Sequence, residues 1–553
     1  MRCPPVRAGV SLRTGIRLKM RDTMLQFLAA SKSHSNIRRG FATRSMWGFV
    51  LVAMLFCACA APIAALGQAK AAEKVAAKAP AKVSTAAETQ GEWAAPVNFC
   101  TYPCLVGANA AVLNNGNVLF YYYPASGTYN SQAMVLNPIT GALTNVALPF
   151  SDDIFCSGIT ILQNGTVMAT GGNIEGVKCS HDASGCGTTN TLLFNPSTST
   201  WTTGTNMIDA RWYPSTVELA SGTELELSGT SETGAYVQTQ METYSYSSNW
   251  WTALPTSANL PSAVAQVYPR LTLLPTGNVF LSSPAAKTYQ FNPTTNECSF
   301  VADVNYGYRY FAPHVLLPGG DIMVAGGSSS KLNGGDIATN TAEIINMSAK
   351  KPTWTYTGSM NYARYNENLV LLADGTVLAV GGGGGGGRYD NPVLTAELYT
   401  PSTGLWSVMA AQTIQRTYHS TAVLLPDGRV VSAGSDNGAS TQVTYEIYSP
   451  PYLFNGTRPV ISAAPTTLTY GKSFSITTSN ASTIASVALV RPGATTHADD
   501  FDQRYVNLKF TVGNGTLTAT APASGNIAPP GYYMLVIVNT SGIPSVMPFL
   551  SLN

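Results

Sequence analysis

From residue 92 to 456 short apolar runs alternate with small polar turns in one repeating unit. An apolar strand, a turn ending in Gly and a second apolar strand recur seven times, with turn glycines Gly116, Gly165, Gly222, Gly277, Gly320, Gly375 and Gly428. Successive glycines stand 49, 57, 55, 43, 55 and 53 residues apart. In several copies the second strand ends on a Gly pair, as at Gly171-Gly172, Gly326-Gly327 and Gly381-Gly382. An aromatic, a turn and often a Trp follow, as in Phe194-Asn195-Pro196 with Trp201. A period near 50 with this signature is that of a kelch repeat, one four-stranded blade per copy. The pattern predicts an all-β chain, a seven-bladed kelch-type β-propeller over 92–456, with Trp93 beginning a strand that closes the ring. After Pro459 the texture changes to alternating strands, Ser473 to Thr478 and Tyr505 to Val512, with an Asn514-Gly515 hairpin turn. This predicts an immunoglobulin-like β-sandwich over 457–553.

The repeat also serves as a ruler. Nine residues before each turn glycine stand Gly107, Cys156, Tyr213, Tyr268, Phe311, Asn366 and His419. Equal offsets place these at equal heights, where each first strand begins, so they should ring one mouth of the axis. Cys156, Tyr213 and His419, with neighbouring Tyr418, are metal or redox groups that this geometry gathers. Each alone has a bland reading: a buried small hydrophobe, channel-mouth aromatics, a core histidine. Their coincidence favours function. His497, in Thr495-Thr496-His497-Ala498-Asp499, joins them only if the C-terminal domain reaches into the propeller. Two imidazoles with two phenolates form an N,O set suited to Cu(II).

Composition narrows the partners. Hydrophobic residues make up 45% and charged residues 11%, which excludes disorder over most of the length and a coiled coil. Residues 1–45 hold ten Lys/Arg against Asp22, whereas from 91 onward 26 acids outnumber 17 bases. An acidic body without a basic stripe excludes nucleic acid as a partner. Met46 to Ala69 is uncharged, so 1–69 reads as an export signal, or as a membrane anchor through 46–66. Arg38-Arg39-Gly40-Phe41 is similar to a twin-arginine signal. Residues 70–91, rich in Ala, Lys and Pro, read as a flexible linker. The protein is expected to be a monomer outside the cytoplasm: secreted, periplasmic or at the cell surface. In an oxidising compartment Cys100 with Cys104 and Cys179 with Cys186 are locally spaced for disulfides, leaving Cys156 and Cys298.

Further motifs carry a family likeness. Phe155-Cys156-Ser157-Gly158, Arg211-Trp212-Tyr213-Pro214-Ser215, Tyr418-His419-Ser420, Glu446 to Leu453, His497 with Asp502-Gln503-Arg504, and Pro530 to Leu535 occur in order. In these the chain resembles the galactose oxidase / glyoxal oxidase family of copper-radical oxidases, closer to the glyoxal oxidase branch. The resemblance implies one copper ion held by Tyr213, Tyr418, His419 and His497. It implies a thioether between Cys156 and Tyr213 that carries a tyrosyl radical, with Tyr418 as proton acceptor. It implies oxidation of a small aldehyde, as its hydrate, or of a primary alcohol by O2, with release of hydrogen peroxide. Where galactose oxidase sets a Trp over its crosslinked tyrosine, Ser231 stands here, so galactose is not expected as substrate. Arg270 is a candidate for positioning an anionic or carbonyl group, or else a structural arginine. The glycines Gly381 to Gly387 read as a flexible rim rather than a phosphate cradle. The alternatives are a non-catalytic extracellular propeller acting as a glycan- or protein-binding scaffold, and a mononuclear hydrolase or oxygenase using Asp499 or Asp502.

Overall fold

The structure is a computed structural model that describes residues 85–99, 104–122, 131–149, 154–173, 185–282, 284–329, 337–387, 389–436 and 441–553. The leader, and with it the export, twin-arginine and anchor readings, lies outside the described residues. Residues 86–90, expected as part of a flexible linker, instead form the helical turn Ala86–Gln90. Thr85 and Glu88 cap it reciprocally, and the Tyr448 hydroxyl donates to the Gln90 carbonyl at 2.6 Å, which fixes the turn to the body.

Among the described residues, seven sheets of consecutive antiparallel strands account for the repeats. Their first strands are Asn109–Val112, Gly158–Ile161, Trp212–Glu218, Arg270–Leu273, His314–Leu316, Asn368–Leu371 and Ser420–Leu424. Each of these packs on the next around a kelch-like propeller, and the last meets the first. Between the fourth and fifth, Thr272 and His314 are hydrogen-bonded at 2.9 Å. First strands are almost wholly buried, whereas outer strands such as Thr200–Thr203 and Trp250–Ala253 bury only an inward Trp. That contrast follows from burial on both faces near the axis and on one face at the rim. Glu92–Trp93 and Val97–Asn98 pair with Thr444–Ser449 and complete the outside of the seventh sheet, so early residues close the ring.

The C-terminal part packs Thr467–Leu468, Phe549–Leu552, Gly531–Asn539, Ile484–Arg491 and Arg504–Leu508 in one sheet against Ser473–Thr477, Thr516–Thr520 and Phe510–Val512 in another. Ile476, Leu489, Leu517, Tyr533, Leu535 and Ile537 fill the space between them. The expected continuous strand from Tyr505 to Val512 is broken at Lys509, because its two halves pair in different sheets.

A buried ion pair recurs in the third, fifth, sixth and seventh sheets: Arg211–Glu242, Arg309–Glu343, Arg364–Glu397 and Arg416–Glu446. Each guanidinium also donates to a carbonyl at the end of the second strand: Ser228, Gly326, Gly381 or Gly434. Each carboxylate accepts N–H groups from the segment leading into the first strand, such as Asn361 and Tyr362 on Glu397. The pair therefore fixes the path by which the chain enters the ring. Arg364→Met leaves Glu397 buried and unpaired, and chemical denaturation should show a loss of about 3–5 kcal/mol.

Candidate metal centre

The ruler positions share one backbone conformation. Cys156, Tyr213, Tyr268, Phe311, Asn366 and His419 all have left-handed φ, between 47° and 64°. Non-glycine residues hold this region only where their surroundings over-determine it. Here the carbonyl of one position accepts the N–H of the next: Cys156 from Tyr213 at 3.0 Å, Tyr213 from Tyr268 at 3.1 Å, Phe311 from Asn366 at 3.0 Å.

His497 arrives from the other domain. Ala494–Thr496 and Asp499–Asp500 form a hairpin that pairs with Asn109–Val112 on the inner edge of the first sheet. Its two-residue turn is His497-Ala498, with φ of 51° and 63°. Both central residues of such a turn need positive φ, a requirement usually met by Asn or Gly. Arg270 supplies the restraint. Its guanidinium donates to the His497 carbonyl at 3.1 Å and pairs with Asp499 at 3.3 Å, while its Nε donates to the Ala312 carbonyl. Arg270 is thus a buried structural residue, and the substrate-positioning option falls away.

The five anticipated side chains meet, all of them buried. The Tyr213 and Tyr418 hydroxyls are 2.5 Å apart. Cys156 Sγ is 3.3 Å from His497 Nε2 and 4.0 Å from His419 Nε2. The imidazole centroids are 4.5 Å apart, and His497 stacks edge-on to Tyr213 at 4.8 Å. Cys156 is not in a disulfide and its thiol contacts the Tyr213 phenol. Both rings turn Nε2 inward because Nδ1 is occupied. His497 Nδ1 lies 2.7 Å from Thr496 Oγ1, which itself donates to the Ala108 carbonyl, so Nδ1 carries the hydrogen. His419 Nδ1 lies 2.9 Å from the Tyr122 hydroxyl and 3.5 Å from Asp436. Orienting partners of this kind fix the tautomer of a metal-binding histidine.

Burial, reinforced by Cys156 and Tyr418, holds the Tyr213 phenol well above its ordinary value. Ionising it therefore needs a cation at the site. Two inward imidazole nitrogens and two touching phenols form the N,O donor set that suits Cu(II), so these residues fit copper. Tyr268 is a wall rather than a ligand, since its hydroxyl donates to the Ser157 carbonyl at 2.9 Å. Trp212 sets its ring edge-on to Tyr213 at 4.2 Å, whereas Ser231 bonds Thr233. Asp499 and Asp502 do not join the centre. Asp499 is held by Arg270 and His314, and Asp502 by Arg491 and the Ile161 N–H, which removes the carboxylate-ligand alternative.

Sequence reading missed Tyr122, Asp436 and Thr496. Tyr122 carried a signal: six residues after Gly116, it occupies the position held by Gly171, Gly326, Gly381 and Gly434 in other copies. A bulky phenol where the repeat keeps glycine marks a departure from scaffold duty. The arginine staples were legible too, since Arg211, Arg309 and Arg364 each stand eleven residues before a turn glycine. Cys104 and Cys186 are disulfide-bonded, and the other expected disulfide cysteines, Cys100 and Cys179, lie outside the described residues.

The kelch-like propeller thus gathers two phenols, two imidazoles and a thiol in one buried cluster, in which the ligand atoms of Cys156, His419 and His497 lie within 4.8 Å of one another, the arrangement of a protein that could hold a metal ion. Residues 131–452 match the glyoxal oxidase N-terminus and residues 458–550 the galactose oxidase-like early set domain, and the chain belongs to this family. It is 29% identical over 442 residues to the galactose oxidase of Gibberella zeae, covering 74% of this chain and 62% of that protein's length. It is 27% identical over 442 residues to the aldehyde oxidase GLOX of Vitis pseudoreticulata, covering 72% of this chain and 82% of the relative. Among solved structures, a copper-complexed fungal alcohol oxidase of the AA5 family shares the fold with a TM-score of 0.73 at 24% identity, covering 84% of this chain and all of that one.

In the second strand of the third sheet Glu226 is buried and accepts from Thr170 Oγ1 at 2.9 Å. Burial pushes its carboxyl up to about 8 despite Arg211. The folded state therefore keeps a proton that the unfolded chain sheds, and this group's contribution to stability falls as pH rises from about 4.5 through about 8. Glu226→Gln should match the parent near pH 4. At pH 9 it should exceed the parent by more than the ~0.5 kcal/mol of a neutral surface change, as read by denaturation at both pH values.

Proposed function

We propose that the protein is a copper-radical oxidase that oxidises small aldehydes, as hydrates, or primary alcohols with O2 and forms hydrogen peroxide. The observation that carries this reading is the 2.5 Å contact between the Tyr213 and Tyr418 hydroxyls, walled by two imidazoles that each keep Nε2 for a metal. Tyr213, Tyr418, His419 and His497 would hold one copper ion, which when bound supplies a one-electron acceptor and a Lewis acid. The Cys156 sulfur is to be joined to the Tyr213 ring as a thioether, which lowers the cost of holding a radical there. Tyr418 takes the proton of the substrate hydroxyl at its phenol oxygen. Tyr213, as the radical, takes a hydrogen atom from the adjacent carbon. The substrate loses two electrons and two protons in all, and O2 receives both as hydrogen peroxide. Burial excludes bulk water from the radical, and the rigid ring fixes both phenols relative to the carbon.

The same reading includes seven blades and an immunoglobulin-like C-terminal domain, supported by seven sheets and two facing ones. It also includes export from the cytoplasm and activity as a monomer; the disulfides at Cys104 and Cys186 accord with an oxidising compartment. Membrane attachment through 46–66 stays part of the proposal.

The test is copper content and peroxide-coupled oxygen uptake after loading with Cu(II). The parent should bind one copper and oxidise members of an aldehyde and alcohol panel. Tyr213→Phe should keep its fold and lose at least about a hundredfold in kcat, the scale of one essential group, while His497→Ala should lose copper as well. Stoichiometric copper with no uptake across the panel, or an unimpaired Tyr213→Phe, overturns the reading.

A further inference from the structure

The run Gly381 to Gly387 is not a loose rim. Gly383 bridges Tyr365 on one side and Pro392 on the other. Asn391 donates to the Gly385 carbonyl at 2.7 Å, and the buried Tyr365 hydroxyl donates to the Gly387 carbonyl. The glycines are needed for close approach: a Cβ at Gly381 would lie 2.4 Å from the Arg416 carbonyl oxygen, and one at Gly387 would lie 2.7 Å from Asp390 Oδ2. Gly385 and Gly386 have φ of 107° and 102°, open to glycine alone. So tight a fold is followed by Tyr389, whose ring reaches the centre. The Tyr389 ring lies 6.1 Å from the Tyr418 ring at 66°, and it is half-buried.

Phe311 flanks the same phenol at 5.6 Å and 79°, while Trp212 and Phe155 border Tyr213 and His419 from other sheets. These four rings are half-buried, whereas Cys156 and the four N,O donor side chains are buried. Arg270, expected near the mouth as a positioning group, is spent on the His497 turn.

Building on the oxidase reading, we propose that Tyr389 is a specificity-determining residue. Its ring packs edge-to-face on the non-reacting part of the substrate, beside the phenol that takes the proton. It thereby selects primary alcohols and aldehydes carrying a planar aryl substituent over polyhydroxylated ones. An aromatic edge rewards a flat π face and offers a sugar ring few of the hydrogen bonds that its hydroxyls lose on leaving water.

Binding and turnover are measured on the full copper-loaded protein with benzyl alcohol, glycolaldehyde and D-galactose, for the parent, Tyr389→Ala and Tyr389→Phe. Titration calorimetry without oxygen, on protein reduced beforehand so that the centre can accept no electrons, gives affinity free of catalysis. The parent should bind benzyl alcohol more tightly than galactose. Tyr389→Ala should weaken benzyl alcohol binding about tenfold, the size of one aromatic pair, raising KM with kcat little changed. Glycolaldehyde should be unaffected, and Tyr389→Phe should behave as the parent. Unchanged benzyl alcohol affinity in Tyr389→Ala overturns the proposal, as does an equal loss for every ligand, which would mark a merely structural residue. Benzyl alcohol binding that follows this pattern without turnover upholds the selectivity and defeats the oxidase reading instead.

Discussion

The centre depends on how the chain is made to enter the ring. At each non-glycine ruler position from Cys156 to His419 the backbone is left-handed, a conformation that costs about 1–3 kcal/mol per residue and survives only when its surroundings enforce it. Much of that enforcement comes from the buried arginine–carboxylate pairs, which tie the entering segment, the end of the second strand and the third strand together. The pairs also bury ionic groups whose removal from water must be met by full hydrogen bonding. Arg364, for example, reaches the Gly381 and Thr395 carbonyls as well as Glu397. A site built on such entries is held by the scaffold rather than by loops, and preorganised chemistry needs that rigidity.

The C-terminal domain is part of the same machine. Its hairpin becomes the inner edge of the first sheet, and Arg491, Gln503 and Arg504 bond the Ile161, Leu369 and Leu273 carbonyls of three different sheets. His497 can therefore be delivered to the axis with the positional accuracy of a strand. The two imidazoles are oriented by unlike partners, a threonine hydroxyl on one and a phenol–carboxylate pair on the other. The two Nε2 atoms thus face one space in different electrostatic settings. Burial holds the Tyr213 phenol well above its ordinary value, so the centre is poised for a cation that would let it ionise.

Much of this was legible in the chain. The seven turn glycines carried the propeller, because a hairpin of two buried strands needs a positive-φ residue at its tip. The same spacing brought Cys156, Tyr213 and His419 together before any geometry was known. His497 was legible only through family likeness, since nothing local to Thr495-Thr496-His497 says that a hairpin from one domain will pair inside another. Arg270 misled for a related reason: its proximity to the mouth was correct, but its partners come from His497 and Asp499, 227 residues away for the former. The rim glycines misled by composition. Repeated glycine reads as freedom, yet here it permits backbone contacts that leave no room for Cβ atoms. Tyr122 and the arginine staples were present at fixed offsets and needed only the ruler to be read on both sides of each turn.

The most direct measurement is peptide mapping by mass spectrometry of the protein after incubation with Cu(II) and oxygen, with the disulfides assigned in the same digest. The account predicts that the Cys156 and Tyr213 peptides appear as one covalent species, lighter than their sum by two hydrogen atoms. Separate, unmodified peptides from protein carrying stoichiometric copper would contradict it.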